Sequence, residues 1–263
     1  MRKKLLTGFL VSALLIFCGC TEKKQRKLIE TGDDRLHNGK ITEATDLYRK
    51  AIALNPESKT AVTALYKLGY VYETSLKELE SALFNYQEFI RLSQDPVKVY
   101  EIQKKVANIH FEQGKEPEKA IAAYKKLLAF QPDSLEADFF QFRIAQSYFA
   151  QNNFEQARIE YEQLLEKYPK SQFIVRARFE IGNSYYMEGK YDTAVEALKQ
   201  VMRKHPQSEF ATESEFLMAQ CLEQAGKLKD ALHVYENVRG RYASPKILDF
   251  RIAELKKRIK KEK

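Results

Sequence analysis

No tryptophan occurs in this chain, and its 263 residues include only three cysteines, four histidines and ten glycines. Each scarcity excludes a class of protein. The cysteines are Cys18, Cys20 and Cys221, too few for a disulfide-stapled scaffold. His37, His110, His205 and His233 share no metal-ligand spacing, so no metal is expected. The glycines form neither a phosphate-cradling loop nor a nucleophile elbow. The 36 carboxylates are interspersed with 44 lysines and arginines, as on solvated helix faces. The sequence therefore shows no catalytic constellation, and the expectation is a non-enzymatic chain with no cofactor and no small-molecule substrate. The formal charge of +8 comes from Arg2, Lys3 and Lys4 and from residues 251–263, which hold seven basic and two acidic side chains. A basic tail on a neutral body does not point to nucleic acid.

What the chain does have is a period. Ala44, Ala82, Ala120, Ala157, Ala194 and Ala231 stand at intervals of 38, 38, 37, 37 and 37 residues. Four residues after each comes Tyr48, Tyr86, Tyr124, Tyr161, Leu198 or Tyr235. A second small residue precedes each alanine: Gly32, Gly69, Ala107, Ala145, Gly182 and Ala219. Such self-similarity marks one supersecondary unit stacked repeatedly. The unit is two helices that cannot bury their apolar faces alone. The small residues allow close helix crossing, and the bulky residue one turn on fills the space beside it.

Turn residues set the frame. Pro56, Pro132, Pro169 and Pro206 end their units, with Ser58, Ser134, Ser171 and Ser208 two places on as predicted helix caps. Gly39, Gly114, Gly189 and Gly226 are expected to end first helices in left-handed conformation. The repeats run approximately 25–60, 61–97, 98–134, 135–171, 172–208 and 209–244. Repeats two and three each carry an extra residue, around Glu73–Leu79 and in Gly114–Glu118. That irregularity predicts a change of superhelical direction near 93–118. Residues 245–263 read as a closing helix with Ile247, Phe250, Ile252, Leu255 and Ile259 on its apolar side.

A small residue, then Ala-x3-Tyr, then Pro, resembles the tetratricopeptide repeat over residues 25–244. The resemblance implies an all-α fold, a right-handed α-solenoid of six helix pairs at 28–244, closed by a basic helix at 245–263. The usual repeat is about 34 residues; the longer period here lengthens each first helix by nearly a turn.

Arg2, Lys3 and Lys4 precede the apolar run Leu5–Phe17, whose 13 residues are too short to span a bilayer. The run ends in Phe17-Cys18-Gly19-Cys20, which resembles a bacterial lipobox with Cys20 as the lipidated residue. The resemblance implies a signal peptide at 1–19, a lipidated linker at 20–27 and two or three acyl chains on Cys20, enough for stable anchoring. Thr21 follows the cysteine where inner-membrane retention uses Asp, so the expected location is the outer membrane, facing the periplasm. Cys221, two residues after Ala219, reads as a buried small side chain.

Function is expected in the concave groove lined by first helices. Counting from the small residue, the groove candidates are Phe142, Gln146 and Phe149; Phe179, Asn183 and Tyr186; and Phe216 and Gln220. Amides both donate to and accept from a peptide backbone, and rings add apolar contact. The lining suits an extended peptide segment or a partner helix. The lipobox, the early start of the repeats, the Tyr168-Pro169-x-Ser171 ending and Phe89-Ile90-Arg91-Leu92 are similar to BamD-type outer-membrane assembly lipoproteins. Repeats four to six also resemble the C-terminal repeats of the periplasmic coordinator CpoB. These resemblances imply a lipid-anchored scaffold for protein partners, with BamD-like barrel assembly as the specific version. The alternative is an adaptor or pilotin for secretion, Tol-Pal or peptidoglycan machinery.

Overall fold

The computed structural model describes the backbone of residues 2–261 and the side chains of residues 20–261. The side chains of residues 1–19, where a signal peptide is expected, and the final two residues lie outside that range. Every regular element among the described residues is helical. The chain divides into two compact units, residues 1–115 and 116–263. The boundary falls in the turn between the two helices of the third repeat, inside the irregular segment 93–118.

The first unit holds α1 (Arg2–His37), α2 (Ile41–Leu54), α3 (Lys59–Val71), α4 (Leu79–Leu92) and α5 (Pro96–Asn108). Both α3 and α5 run on into a π-helical turn, Tyr72–Leu76 and Ile109–Gln113. The second unit holds α6 (Pro117–Phe130), α7 (Ala137–Ala150), α8 (Phe154–Lys167), α9 (Ile174–Met187), α10 (Tyr191–Lys204), α11 (Glu209–Gln224), α12 (Leu228–Asn237) and α13 (Pro245–Lys261). Within each unit every helix packs on the next, and first helices also touch each other, α1 on α3 and α9 on α11.

The periodic residues are the contact points. All six alanines and their bulky followers are fully buried. A β-carbon on Gly32 would lie 2.7 Å from the Tyr48 ring, one on Gly69 2.8 Å from Tyr86, and one on Gly182 2.7 Å from Leu198. The small residue is therefore the floor on which the bulky residue of the partner helix rests. Each such burial is worth about 1.5–3 kcal/mol. The ring carries a polar tip that needs a partner. Tyr48 donates to Asp33 at 2.7 Å, Tyr86 to Glu73 at 2.6 Å and Tyr235 to Glu223 at 3.3 Å.

The turns differ from expectation in instructive ways. Ser58 and Ser208 cap α3 and α11, accepting from the Ala61 and Ala211 amides. Ser134 and Ser171 do not cap, because α7 and α9 begin three residues after them. Ser171 instead accepts from the Phe173 amide in the preceding turn. The second repeat, which lacks Pro-x-Ser, passes to α5 through Asp95, which accepts from the Val97 and Lys98 amides ahead of Pro96.

Left-handed residues follow the repeat more faithfully than glycine does. Six of the seven among the described residues, Gly39, Lys77, Lys115, Asn152, Gly189 and Gly226, each stand five places before an alanine of the series, and the seventh, Gly240, follows α12. Gly114 is right-handed, against expectation. The extra residue of repeat three is taken up one turn earlier, in the π turn, where the Gly114 amide donates to the Ile109 carbonyl. That moves the left-handed position onto Lys115, at φ 50°. A non-glycine residue there is strained by roughly 1–2 kcal/mol, partly offset by the greater freedom of glycine when unfolded. Lys115→Gly is therefore expected to stabilise the chain by about 0.5–1 kcal/mol, read as a higher urea midpoint with an unchanged slope.

The closing helix α13 covers α12 with Leu248, Ile252 and Leu255 buried and Ile259 partly so. These recur at i, i+4, i+7 and i+11, one helical face. Ile247 and Phe250, expected on that side, are exposed, because at about 100° per residue they fall roughly 100° or more away from the centre of the stripe of Leu248, Ile252 and Leu255. Four of the seven basic residues of α13 are paired: Arg258 and Arg251 with Glu223 at 2.5 and 4.0 Å, Lys256 with Glu236 at 2.7 Å and Lys257 with Glu254 at 2.7 Å.

Candidate functional site

First helices α7, α9 and α11 carry the residues expected to line the groove, and the structure sorts them into two groups. Phe142 and Phe216 are sealed in the core, correcting their assignment to the groove. Phe142 stacks on Phe173 at 4.8 Å and meets Tyr161. Phe216 stacks on Tyr242 at 4.1 Å and meets Tyr235. The physical reason is the turn that follows each second helix. It brings an aromatic residue over the ring, and Phe173 and Tyr242 close what would have been open.

Phe179 has a different fate. It is half-buried, with Phe210 beside it at 5.5 Å. The two rings lie in a cleft of about 490 Å³ lined by Arg176, Glu180, Glu209, Glu213 and Arg241 among others. The cleft is built by α9, α11 and the turn between α12 and α13. Glu213 has its carboxyl pushed above the usual carboxylate range by burial and by neighbouring Glu209. An acid held partly against ionisation gains most from an approaching cation. The arginines at the rim are engaged, Arg241 with Glu215 at 2.6 Å and Arg176 with Glu180 at 3.8 Å. The cleft thus offers aromatic surface with a surplus of carboxylates.

The amides are half-buried as a set. Asn183 donates to Glu180 at 3.0 Å, and Gln146 accepts from Arg143 at 3.2 Å. Gln220 stands at the equivalent place on α11. Phe149 packs on Phe154 at 5.1 Å, and Tyr186 on Tyr191 at 5.9 Å; both rings are half-buried. Burial raises the Tyr186 hydroxyl above its ordinary pKa. The structure brings Phe179 into the cleft without bringing Phe142 or Phe216 to it. Phe210, Glu213 and Arg241 were not legible as site residues. They stand outside the three counted positions, and Arg241 belongs to a turn.

Two other features bear on chemistry. Cys221 is buried, and burial pushes its thiol up to about 12, which keeps it protonated and inert. Cys20 is exposed. Among the described residues no group of acidic, histidine and cysteine side chains could hold a metal ion. Among them, too, no helix is long and apolar enough to cross a membrane.

Family models described as tetratricopeptide repeat match residues 63–93, 142–209 and 185–257. No curated protein matches the chain. Among solved structures, a tetratricopeptide repeat protein from Parabacteroides merdae ATCC 43184 is 24% identical. That match covers 82% of this chain and 79% of that one, with a TM-score of 0.53. Naa15/Naa10 bound to HypK-THB is 15% identical, covers 89% of this chain and 34% of that one, and has a TM-score of 0.67. PilW, described as a widely conserved type IV pilus biogenesis factor, is 14% identical. Its match covers 82% of this chain and 93% of that one, at a TM-score of 0.50. At these identities the likeness is one of fold.

Proposed function

Because this chain is a tetratricopeptide-repeat protein, with repeats matched over residues 63–93 and 142–257, we propose that it is a non-enzymatic scaffold. It takes an extended segment of a protein partner along α9 and α11 and is held in the cell envelope by acyl chains on Cys20. The observation that carries the reading is the Phe179–Phe210 cleft with its carboxylate surplus. An apolar side chain of the partner sits between the rings, and a neighbouring lysine or arginine meets Glu209 and Glu213. Asn183 and Gln220 stand on the same two helices, where they can bond a peptide backbone.

The specific version is BamD-like service to outer-membrane barrel assembly, which rests on the lipobox and the early start of the repeats. The Phe179→Ala/Asn183→Ala chain tests the cleft. Phe179 is only half-buried, so the melting temperature is expected to move little. Recovery of partner from detergent-solubilised envelope should fall about tenfold or more, in line with the roughly 2 kcal/mol of a hot-spot side chain. Loss of folding would reassign both residues to the core. The identity of the recovered protein decides between versions: a barrel-assembly subunit supports the first, and a secretin or peptidoglycan protein supports the adaptor role.

A further inference from the structure

Resting on the reading of Cys20 as the anchored residue, we infer that the exposed basic arc of α1 lies on an anionic phospholipid surface. Lys23, Lys24, Arg26 and Lys27 form that arc, and it seats the first repeat directly on the membrane.

The stretch 20–27, expected as a linker, is helix and is fastened to the repeat. Gln25 is fully buried. Its amide donates to the Ala51 carbonyl at 2.8 Å and to the Asn55 carbonyl at 3.1 Å, and it accepts from the Ser58 hydroxyl at 2.9 Å. That one side chain ties α1 to the end of α2 and to the residue that caps α3. Five helical residues from Cys20 to Gln25 rise about 8 Å, whereas a slack tether of that length reaches about 17 Å. An anchor on Cys20 therefore has no free play between the lipid and the packed repeat.

The faces of this segment are divided by charge. Gln25, Ile29 and Gly32 are buried against α2 and its neighbours. At about 100° per residue, Lys23 and Lys27 fall opposite that stripe and Lys24 and Arg26 on its two flanks, and all four are exposed. Glu22 pairs with Arg26 at 2.5 Å. Among the described residues Lys23, Lys24 and Lys27 have no carboxylate in ion-pair contact, and with Arg26 they outnumber the neighbouring Glu22 and Glu30 by four to two. Along the helix the three lysines rise roughly 4.5, 6 and 10.5 Å from Cys20, on the order of the Debye length of about 8 Å at physiological salt, so an anionic leaflet at the anchor attracts them. Acyl chains plus a basic patch are the two signals that make attachment stable. A rigid stem adds a third property, a defined orientation.

Lysine footprinting of the full lipid-anchored chain tests this. The protein is reconstituted in vesicles of phosphatidylglycerol with phosphatidylcholine, or of phosphatidylcholine alone, and acetylated briefly. Lys23, Lys24 and Lys27 are expected to react about fivefold more slowly on the anionic vesicles, and 0.5 M salt should abolish the difference. Lys126 and Lys229, exposed in the other unit, should react alike on both. Lys23→Glu/Lys27→Glu should free Lys24 without changing the melting temperature. Equal rates on the two vesicles, or protection that salt does not relieve, would overturn the inference. The mass of the Cys20 peptide reads the anchor separately. An unacylated Cys20 overturns the anchoring, whereas an acylated Cys20 beside unprotected lysines overturns the basic seat alone.

Discussion

A Tyr86→Ala chain is expected to lose about 3–5 kcal/mol of stability, the range for truncating a fully buried aromatic side chain. Two costs coincide at this position. The ring is completely enclosed and lies on Gly69, so its removal leaves a void that α3 cannot fill with a side chain of its own. The hydroxyl donates to Glu73 at 2.6 Å, and that carboxylate would keep only Lys105, at 3.4 Å. The same contact explains a pH limit. Burial, and then the Glu73 bond, raise the Tyr86 pKa above its usual 10. The folded state thus holds its proton more tightly than the unfolded one. This contribution is fully present below pH 10 and fades only as the pH rises through the folded value. Hydrogen exchange should place the weakened amides in α3 and α4. Uniform loss across residues 116–263 as well would mean that the two compact units unfold as one.

Ala157→Leu is the converse test, filling a crossing instead of emptying one. Ala157 is fully buried among Phe142, Ala145 and Tyr161. Three added carbons must push α8 away from α7 or force a side chain off its rotamer, at a cost of about 1–3 kcal/mol. The control is Ala122→Leu on α6, where the methyl faces solvent and the change should stay within about 0.5 kcal/mol. Equal melting temperatures for the two variants would show that the alanine period does not mark helix crossings.

The repeat was legible because its cause is local. A small residue, an alanine and a large side chain meet in every pair, so the sequence must restate them each time. The division of the chain falls between Lys115 and Glu116, within the stretch whose spacing is irregular. The left-handed stops were half legible. Three of six are glycine, but Lys77, Lys115 and Asn152 fill the same geometry at a cost that composition does not advertise. The site was the least legible. Position within a repeat could not separate Phe179 from Phe142 and Phe216. What separates them lies in other turns: Phe173 and Tyr242 cover two of the rings, while the third meets Phe210 beside an open cleft. Phe173 and Phe210 stand one period of 37 residues apart, yet the first stacks on its ring at 4.8 Å and the second only tilts beside its ring at 5.5 Å, whereas Tyr242 obeys no period.

The two π turns bear on how such an array tolerates editing. One surplus residue in α3 and one in α5 are each swallowed as a local bulge, and every later alanine still keeps its bulky follower buried. An array whose neighbours alone touch can thus change length by a single codon inside a helix without losing its frame. Shortening either bulge by one residue should return that helix to ordinary winding while leaving the pairs beyond it in step.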